Sequence, residues 1–177
     1  MKKLDNIRVD TTRLKIEPVS DTYKVDICNE FTAEVTKFMP FNPTGDLSAI
    51  EDFLQSSLLE MKNGTGLHFC IILKETNEFL GCCGIYNIDT NIIEVGLWVK
   101  KTAQEKGYGT ETVEALIDFA EQNLEYDYLV YPVDKENLAS RAIPVKFGFL
   151  LAKEYPKKKS DTKILNILEF RKQKHGR

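Results

Sequence analysis

The apolar positions change period along the chain, and the changes mark out its elements. Arg13-Leu14-Lys15-Ile16-Glu17 alternates apolar and charged residues, the pattern of a short half-buried strand, and stops at Pro18. Asp21 or Thr22 suits the cap of a helix carrying Val25, Ile27, Cys28, Phe31 and Val35. Phe38-Met39-Pro40-Phe41-Asn42-Pro43-Thr44-Gly45 reads as a loop from its prolines and glycine. Its two phenylalanines and one methionine are a heavy apolar load for a linker. Asp46 or Ser48 opens a second helix with Ile50, Phe53, Leu54, Leu58 and Met61 on one side, closed by Asn63-Gly64. Strands at His68 to Leu73, Phe79 to Ile88 and Ile92 to Val99 follow, joined by short polar turns as in an antiparallel meander.

From Thr110 the period becomes helical, with Val113, Leu116, Ile117, Ala120 and Leu124 in register. A strand at Tyr128 to Val133, a helix from about Glu136 to Phe147, and strands at Phe149 to Glu154 and Thr162 to Phe170 complete the pattern. Crossing from the strand at Ile92 through one helix to the strand at Tyr128 makes those two strands parallel neighbours. The expectation is an α+β domain, with about four helices flanking a mixed, mostly antiparallel sheet of seven strands.

Composition narrows the classes. At 177 residues the chain suits a single domain, 1–177, with a basic tail over 171–177. A net charge of −3, with lysine and arginine spread along the chain until its last residues, argues against a nucleic-acid platform. No apolar run approaches membrane length, and charged residues from Asp5 to Asp10 leave no signal-peptide core, so a cytoplasmic protein is expected. Cys28, Cys70, Cys82 and Cys83 show no Cys-x-x-Cys spacing and, Cys70 beside His68 apart, lie away from the histidines, so no metal is expected. Cys70, Cys82, Cys83 and His68 read as structural residues of strands.

The chemistry concentrates between the strand at Ile92 and the helix after Thr110. Gln104-Glu105-Lys106-Gly107-Tyr108-Gly109-Thr110 puts two glycines where a strand gives way to a helix. The unpaired N–H groups of the first helical turn, with the helix dipole, make such a turn an anion site. No lysine follows Gly109, which excludes a Walker loop, and Thr112 stands where a dinucleotide fingerprint needs its third glycine.

Gln104-x-x-Gly107-x-Gly109 resembles the acyl-CoA signature of the GNAT superfamily of N-acetyltransferases. Asn137-x-x-Ser140 followed by Lys146-x-Gly148-Phe149 resembles the second family signature. Glu94-Val95-Gly96-Leu97-Trp98, Asn137 with Ser140, and Val35 to Pro40 ahead of a helix are similar to the Rim-type branch, which acetylates protein N-terminal amines. The resemblance spans most of the chain and implies a GNAT fold and an N-acetyltransferase acting by direct attack in a ternary complex. Acetyl-CoA would be the co-substrate and a primary amine the acceptor, a protein N-terminal α-amine or a small-molecule amine. A non-catalytic CoA-binding or sensing domain is the alternative.

The resemblance also implies roles. Leu97, Trp98 and Val99 would meet the pantetheine arm, Gln104 to Thr110 (with Glu105, Lys106 and Tyr108) the pyrophosphate, and Asn137 the pantetheine as well. Gly96 would mark a bulge that frees that strand's main chain, or would relieve crowding beside Trp98; Asn137 could equally cap its helix. Strand alternation puts Glu94 on one face with Gly96 and Trp98, and an apolar setting would raise its pKa toward that of a useful base. An exposed or salt-bridged glutamate is the plainer reading. The tyrosine that many relatives use as acid is Pro144 here, which leaves Ser140, Tyr131, Tyr86 or solvent to protonate the thiolate. Phe38, Met39 and Phe41 would line the acceptor mouth. Lys157-Lys158-Lys159 and Arg171, Lys172, Lys174 and Arg177 suit an acidic or ribosomal partner, or a solvated turn and a frayed end. The last two strands, with Phe170, offer an edge for a possible homodimer.

Overall fold

The computed structural model describes residues 7–174; His175 and Arg177 of the expected tail lie outside them. The order is β1 (Val9–Asp10), β2 (Leu14–Pro18), α1 (Lys24–Glu30), α2 (Leu47–Asn63), β3 (Gly66–Leu73), β4 (Phe79–Tyr86), β5 (Ile92–Val99), α3 (Tyr108–Asn123), β6 (Tyr128–Asp134), α4 (Leu138–Lys146), β7 (Leu150–Ser160) and β8 (Lys163–Gln173). One eight-stranded sheet runs β1-β2-β3-β4-β5-β6-β8-β7. Among the described residues only β5 and β6 pair in parallel. This is the expected α+β architecture with one strand more than the seven foreseen. The addition is Val9–Asp10, which pairs with Ile16 and Lys15 across a turn and is too short to show a period.

Two apolar layers cover the sheet. One face carries α3, where Val113, Leu116, Ile117 and Ala120 pack against Ile71, Ile93 and Val95. The other carries α1 and α2, where Ile27, Ile50 and Leu54 meet Cys70, Ile72, Phe79 and Cys82, with Trp98 against them. The period-two alternation of β5 therefore sends Ile93 and Val95 under α3 and Trp98 toward α1 and α2, as a strand buried on both faces requires. Cys70, Cys82 and Cys83 are buried free thiols, and burial pushes Cys82 and Cys83 well above the ordinary thiol pKa.

Several boundaries move. The first helix ends at Glu30, and Val35 starts a separate 3-10 turn, Val35–Phe38, so the aromatic loop is partly ordered. Lys157, Lys158 and Lys159 stand in β7, and Arg171 and Lys172 in β8, instead of in a turn and a frayed end. Backbone pairing along the β7–β8 hairpin, shifted in register only at Leu151/Lys153 and Lys158/Ser160, outweighs the poor strand propensity of a lysine run. Phe170 is buried and β8 is an interior strand, so neither forms an edge; β7 does, and it carries Pro156 and the lysines, residues that blunt edges.

The sheet opens at one place. β5 and β6 pair at Ile92↔Tyr128, Ile93↔Leu129 and Glu94↔Val130. Beyond Glu94 each strand stays with its outer neighbour, β5 with β4 and β6 with β8. Val95–Val99 thus have no partner on the β6 side. No bulge at Gly96 produces this gap, because the β4–β5 register is continuous from Tyr86↔Glu94 to Gly81↔Val99. Gly96 is needed for another reason: a Cβ there would stand 3.1 Å from Cε2 of Tyr86, whose ring lies across Gly96 and its cross-strand partner Gly84.

Candidate active site

At one end of the gap the chain turns into α3. A 3-10 turn, Lys101–Ala103, leads to Glu105 at φ 62° and Gly107 at φ 81°, and the first helical bond runs from Glu111 N–H to Gly107 C=O at 3.1 Å. Two left-handed residues within three positions curl the loop tightly ahead of the helix, the kind of backbone turn from which anion-binding nests are made. The N–H groups of Tyr108, Gly109 and Thr110 precede any intrahelical acceptor. The β1–β2 turn holds this end in place. Arg13 bonds Glu111 Oε2 at 2.7 Å and Lys106 C=O at 3.1 Å, and lies over the Tyr108 ring. Thr11 Oγ1 donates to Glu111 Oε1 at 2.6 Å. Gln104 Nε2 donates to Val99 C=O at 3.0 Å and ties the loop to the end of β5.

From the gap a cavity of about 680 Å³ runs to the aromatic loop. Leu97, Trp98, Asn137, Ser140, Glu94, Phe38, Met39 and Phe41 line it, so both expected catalytic residues, the acceptor-mouth residues and three of the cofactor-side residues share one space. Val99 and Gln104 to Thr110 stand outside its wall, at the helix end described above.

Glu94 occupies the last parallel pair before the strands part. Burial raises its pKa above the ordinary carboxylate value; nearby Lys157 opposes this and Glu169 adds to it. Asn137 caps α4, its Oδ1 accepting from Ser140 N–H at 3.3 Å, which realises the capping reading while its side chain also lines the cavity. Ser140 Oγ lies 2.9 Å from Tyr131 Oη, and burial pushes the Tyr131 phenol up to about 12. Of the two tyrosines left open, Tyr131 is therefore the one joined to Ser140. Tyr86 is the cross-strand partner of Glu94 on the other side, strongly raised by burial.

His68 was expected to be structural. It is buried, but it also forms part of the cavity wall, with Nε2 2.7 Å from Glu60 Oε2 and its ring edge-on to Tyr86. Glu60, Tyr155 and Lys157 are wall residues that sequence reasoning missed. Glu60 lies on a helix and Lys157 in a lysine run, and neither position carries a local signal.

A model of the acetyltransferase (GNAT) domain matches residues 13–150. The chain belongs to the GNAT acetyltransferase family. It is 32% identical over 142 residues to the uncharacterized N-acetyltransferase p20 of Bacillus licheniformis, covering 77% of this chain and 79% of that one. Among solved structures it is similar to the Salmonella typhimurium acetyl transferase that modifies the N-terminal serine of ribosomal protein L7/L12. Identity there is 14%, coverage 94% of this chain and 99% of that chain, and the TM-score 0.81. It is likewise similar to RimL, a ribosomal L7/L12 α-N-protein acetyltransferase, in complex with coenzyme A. Identity is 13%, coverage 94% and 98%, and the TM-score 0.82. Membership makes the chain an acyl-CoA-dependent N-acetyltransferase. Among the described residues no helix is long and apolar enough to cross a membrane.

Proposed function

We propose that the chain transfers the acetyl group of acetyl-CoA to the free α-amine at the N-terminus of a protein, with Glu94 as the base. The carrying observation is a desolvated carboxylate at the last paired residue before β5 and β6 part. Acetyl-CoA fits what the chain offers: an unpaired strand edge for pantetheine amides and an N–H-rich helix start for pyrophosphate. Gln104 to Thr110 would hold the phosphates, and Leu97 to Val99 with Asn137 the arm.

The gap passes through the sheet, and the two catalytic groups come to it from opposite faces. Tyr131 and Ser140 stand on the α4 side, while Glu94 shares the α1 and α2 side with Trp98. Glu94, directly or through water, takes a proton from the acceptor ammonium, and the neutral amine attacks the thioester carbonyl. The departing sulfur receives a hydrogen bond or a proton from Ser140, whose own hydroxyl is held by Tyr131. Proximity across the gap supplies much of the remaining acceleration.

A cytoplasmic setting, with neither nucleic acid nor membrane as partner, belongs to the same reading. The two similar solved structures named for ribosomal proteins favour a peptide α-amine over a small amine. The test is thiol release from acetyl-CoA with the pure chain and a panel of free-N-terminal peptides, their N-blocked counterparts and small polyamines. Release with free-N-terminal peptides alone is expected. Turnover confined to small amines would overturn the peptide reading. Binding of acetyl-CoA with no release on any amine would favour a sensing domain.

A further inference from the structure

Three main-chain carbonyls of the aromatic loop converge on one side chain from the far end of the chain. Lys159 Nζ donates to Thr36 C=O at 2.6 Å, Met39 C=O at 2.8 Å and Phe41 C=O at 2.7 Å. An ammonium has three N–H donors, and here all three end on one loop. Lys163, across the hairpin turn, adds a bond from Nζ to Lys37 C=O at 2.8 Å and lies near the Phe38 ring. The loop's own bonding is sparse. Its 3-10 turn holds Thr36 to Thr32 and Met39 to Thr36, and no helix or strand covers residues 39–46. Without the lysines the carbonyls of Met39 and Phe41 would turn to water.

We propose that Lys159 is a positioning residue, a latch by which the β7–β8 hairpin fixes Phe38, Met39 and Phe41 at the acceptor mouth and so sets acceptor affinity. This rests on the reading of those three residues as the acceptor mouth. The neighbouring lysines show that the arrangement is particular to one position. Lys158 pairs with Asp161 at 2.7 Å on the surface, and Lys157 faces the cavity near Glu94. Lys159 makes no carboxylate pair among the described residues, so its charge serves main-chain geometry instead of docking an acidic partner. Burial and the nearby Lys163 both press its pKa below the ordinary lysine value, a cost that the three carbonyls offset. The latch also links distant parts of the chain: partners 118 to 123 residues apart close the mouth over the same cavity that Glu94 lines.

Lys159→Met keeps the aliphatic stem and removes every donor. Peptide acetylation and amide hydrogen exchange are measured on the full chain, with Lys158→Met as the charge control. Hydrogen bonds from a charged donor are strong enough that the acceptor KM should rise by about tenfold or more. The change in kcat should stay within about threefold, and the acetyl-CoA KM should not move. The amides of Thr36, Lys37 and Met39 should exchange at least about tenfold faster. Lys159→Arg should lie between wild type and Lys159→Met, and Lys158→Met should match wild type. An acceptor KM within about twofold of wild type with unchanged exchange overturns the latch, as does an equal loss in Lys158→Met. Should Lys159→Met fail to fold, Lys163→Met carries the same readouts with the same signs. If wild type acetylates no peptide, the acceptor reading fails by itself and exchange at those three amides alone decides the latch.

Discussion

The two ends of the gap are built from different material. At the end proposed for the cofactor the chain offers main chain: the free edge of Val95–Val99 and the N–H groups of a helix start curled by Glu105 and Gly107. At the end proposed for the acceptor it offers side chains from separate segments. Glu94 comes from β5, Phe38 and Phe41 from a loop, His68 and Glu60 from β3 and α2, and Lys157 from β7. On that reading a ligand shared by a whole family would be met by backbone, which any sequence can supply if glycines fall at the right positions. On the proposed reading, an acceptor particular to one enzyme would be met by side chains drawn from separate segments. Changes at the two ends should therefore separate, one moving acetyl-CoA affinity and the other moving turnover or acceptor affinity.

The largest effect is expected at Glu94. Glu94→Gln keeps shape and removes basicity, and general-base catalysis is typically worth about a hundred- to ten-thousand-fold. Turnover should fall by at least about a hundredfold, while acetyl-CoA affinity from calorimetry stays within about twofold. Burial raises the Glu94 pKa, so kcat/KM should drop as pH falls through a value above the usual glutamate range, and the variant should lose that limb. The stability sign runs the other way. A folded-state pKa above the unfolded one means the protonated form contributes stability at low pH, lost as pH rises through the folded value. At neutral pH the ionised carboxylate is a cost, so Glu94→Gln should not lower Tm. A variant within a few-fold of wild type at every pH would place the base elsewhere.

Next in size is the cofactor end, where the two glycines should part company. Gly109 has an ordinary backbone, and a Cβ there would sit 3.5 Å from Leu97 Cδ1, 3.7 Å from Ile143 Cδ1 and 3.9 Å from Val99 Cγ2. Alanine fits that space; the branches of valine would crowd the end of the gap where β5 meets the helix. Gly109→Val should weaken acetyl-CoA by about tenfold or more, about 1.4 kcal/mol at least. Gly109→Ala should bind normally. Gly107, at φ 81°, should respond in stability first, Gly107→Ala costing about 1–2 kcal/mol. Calorimetry and thermal melts on the three variants test this. Equal affinity losses in Gly109→Ala and Gly109→Val would mean that the loss comes from the helix and not from the gap.

The same contrast explains what could be read in the sequence. Hydrophobic period located both helical layers, the meander and the parallel crossover, because burial on two faces leaves few alternatives to Ile93, Val95 and Trp98. The glycine turn was legible because φ > 0 and close approach restrict residue choice. Asp46 as a cap was legible for a similar reason, its side chain accepting from Ser48 N–H. For Gly96 neither a bulge nor crowding beside Trp98 accounts for the glycine: the residue it accommodates is Tyr86, on another strand, which no local pattern reveals. Lys159 was grouped with its neighbours because charge runs look alike until a partner more than a hundred residues away selects one of them. His68 and Glu60 met through helix packing on the sheet, a contact without a sequence period.

The smallest effect is expected at Tyr131, and it asks whether the α4 side of the gap takes part in the chemistry at all. Pro144 cannot donate a proton, so Ser140 is the nearest hydroxyl on that helix to serve the leaving sulfur, and it does not stand alone. Its Oγ lies 2.9 Å from the buried Tyr131 phenol. With the phenol pushed up to about 12, Tyr131 stays neutral, and in the proposed mechanism it is the donor of this pair, which leaves the serine proton free to point into the gap. Tyr131→Phe removes that donor and leaves the ring. A neutral hydrogen bond is worth about 0.5–1.5 kcal/mol net, so turnover should fall by roughly two- to tenfold. Acetyl-CoA affinity should hold, since the ring still fills its place under α4. Ser140→Ala should cost at least as much, and the double variant should cost no more than Ser140→Ala alone, because the phenol acts only through the serine. A double variant slower by the product of the two single losses would show that Tyr131 reaches the sulfur independently. Unchanged turnover in both single variants would leave solvent as the source of the proton.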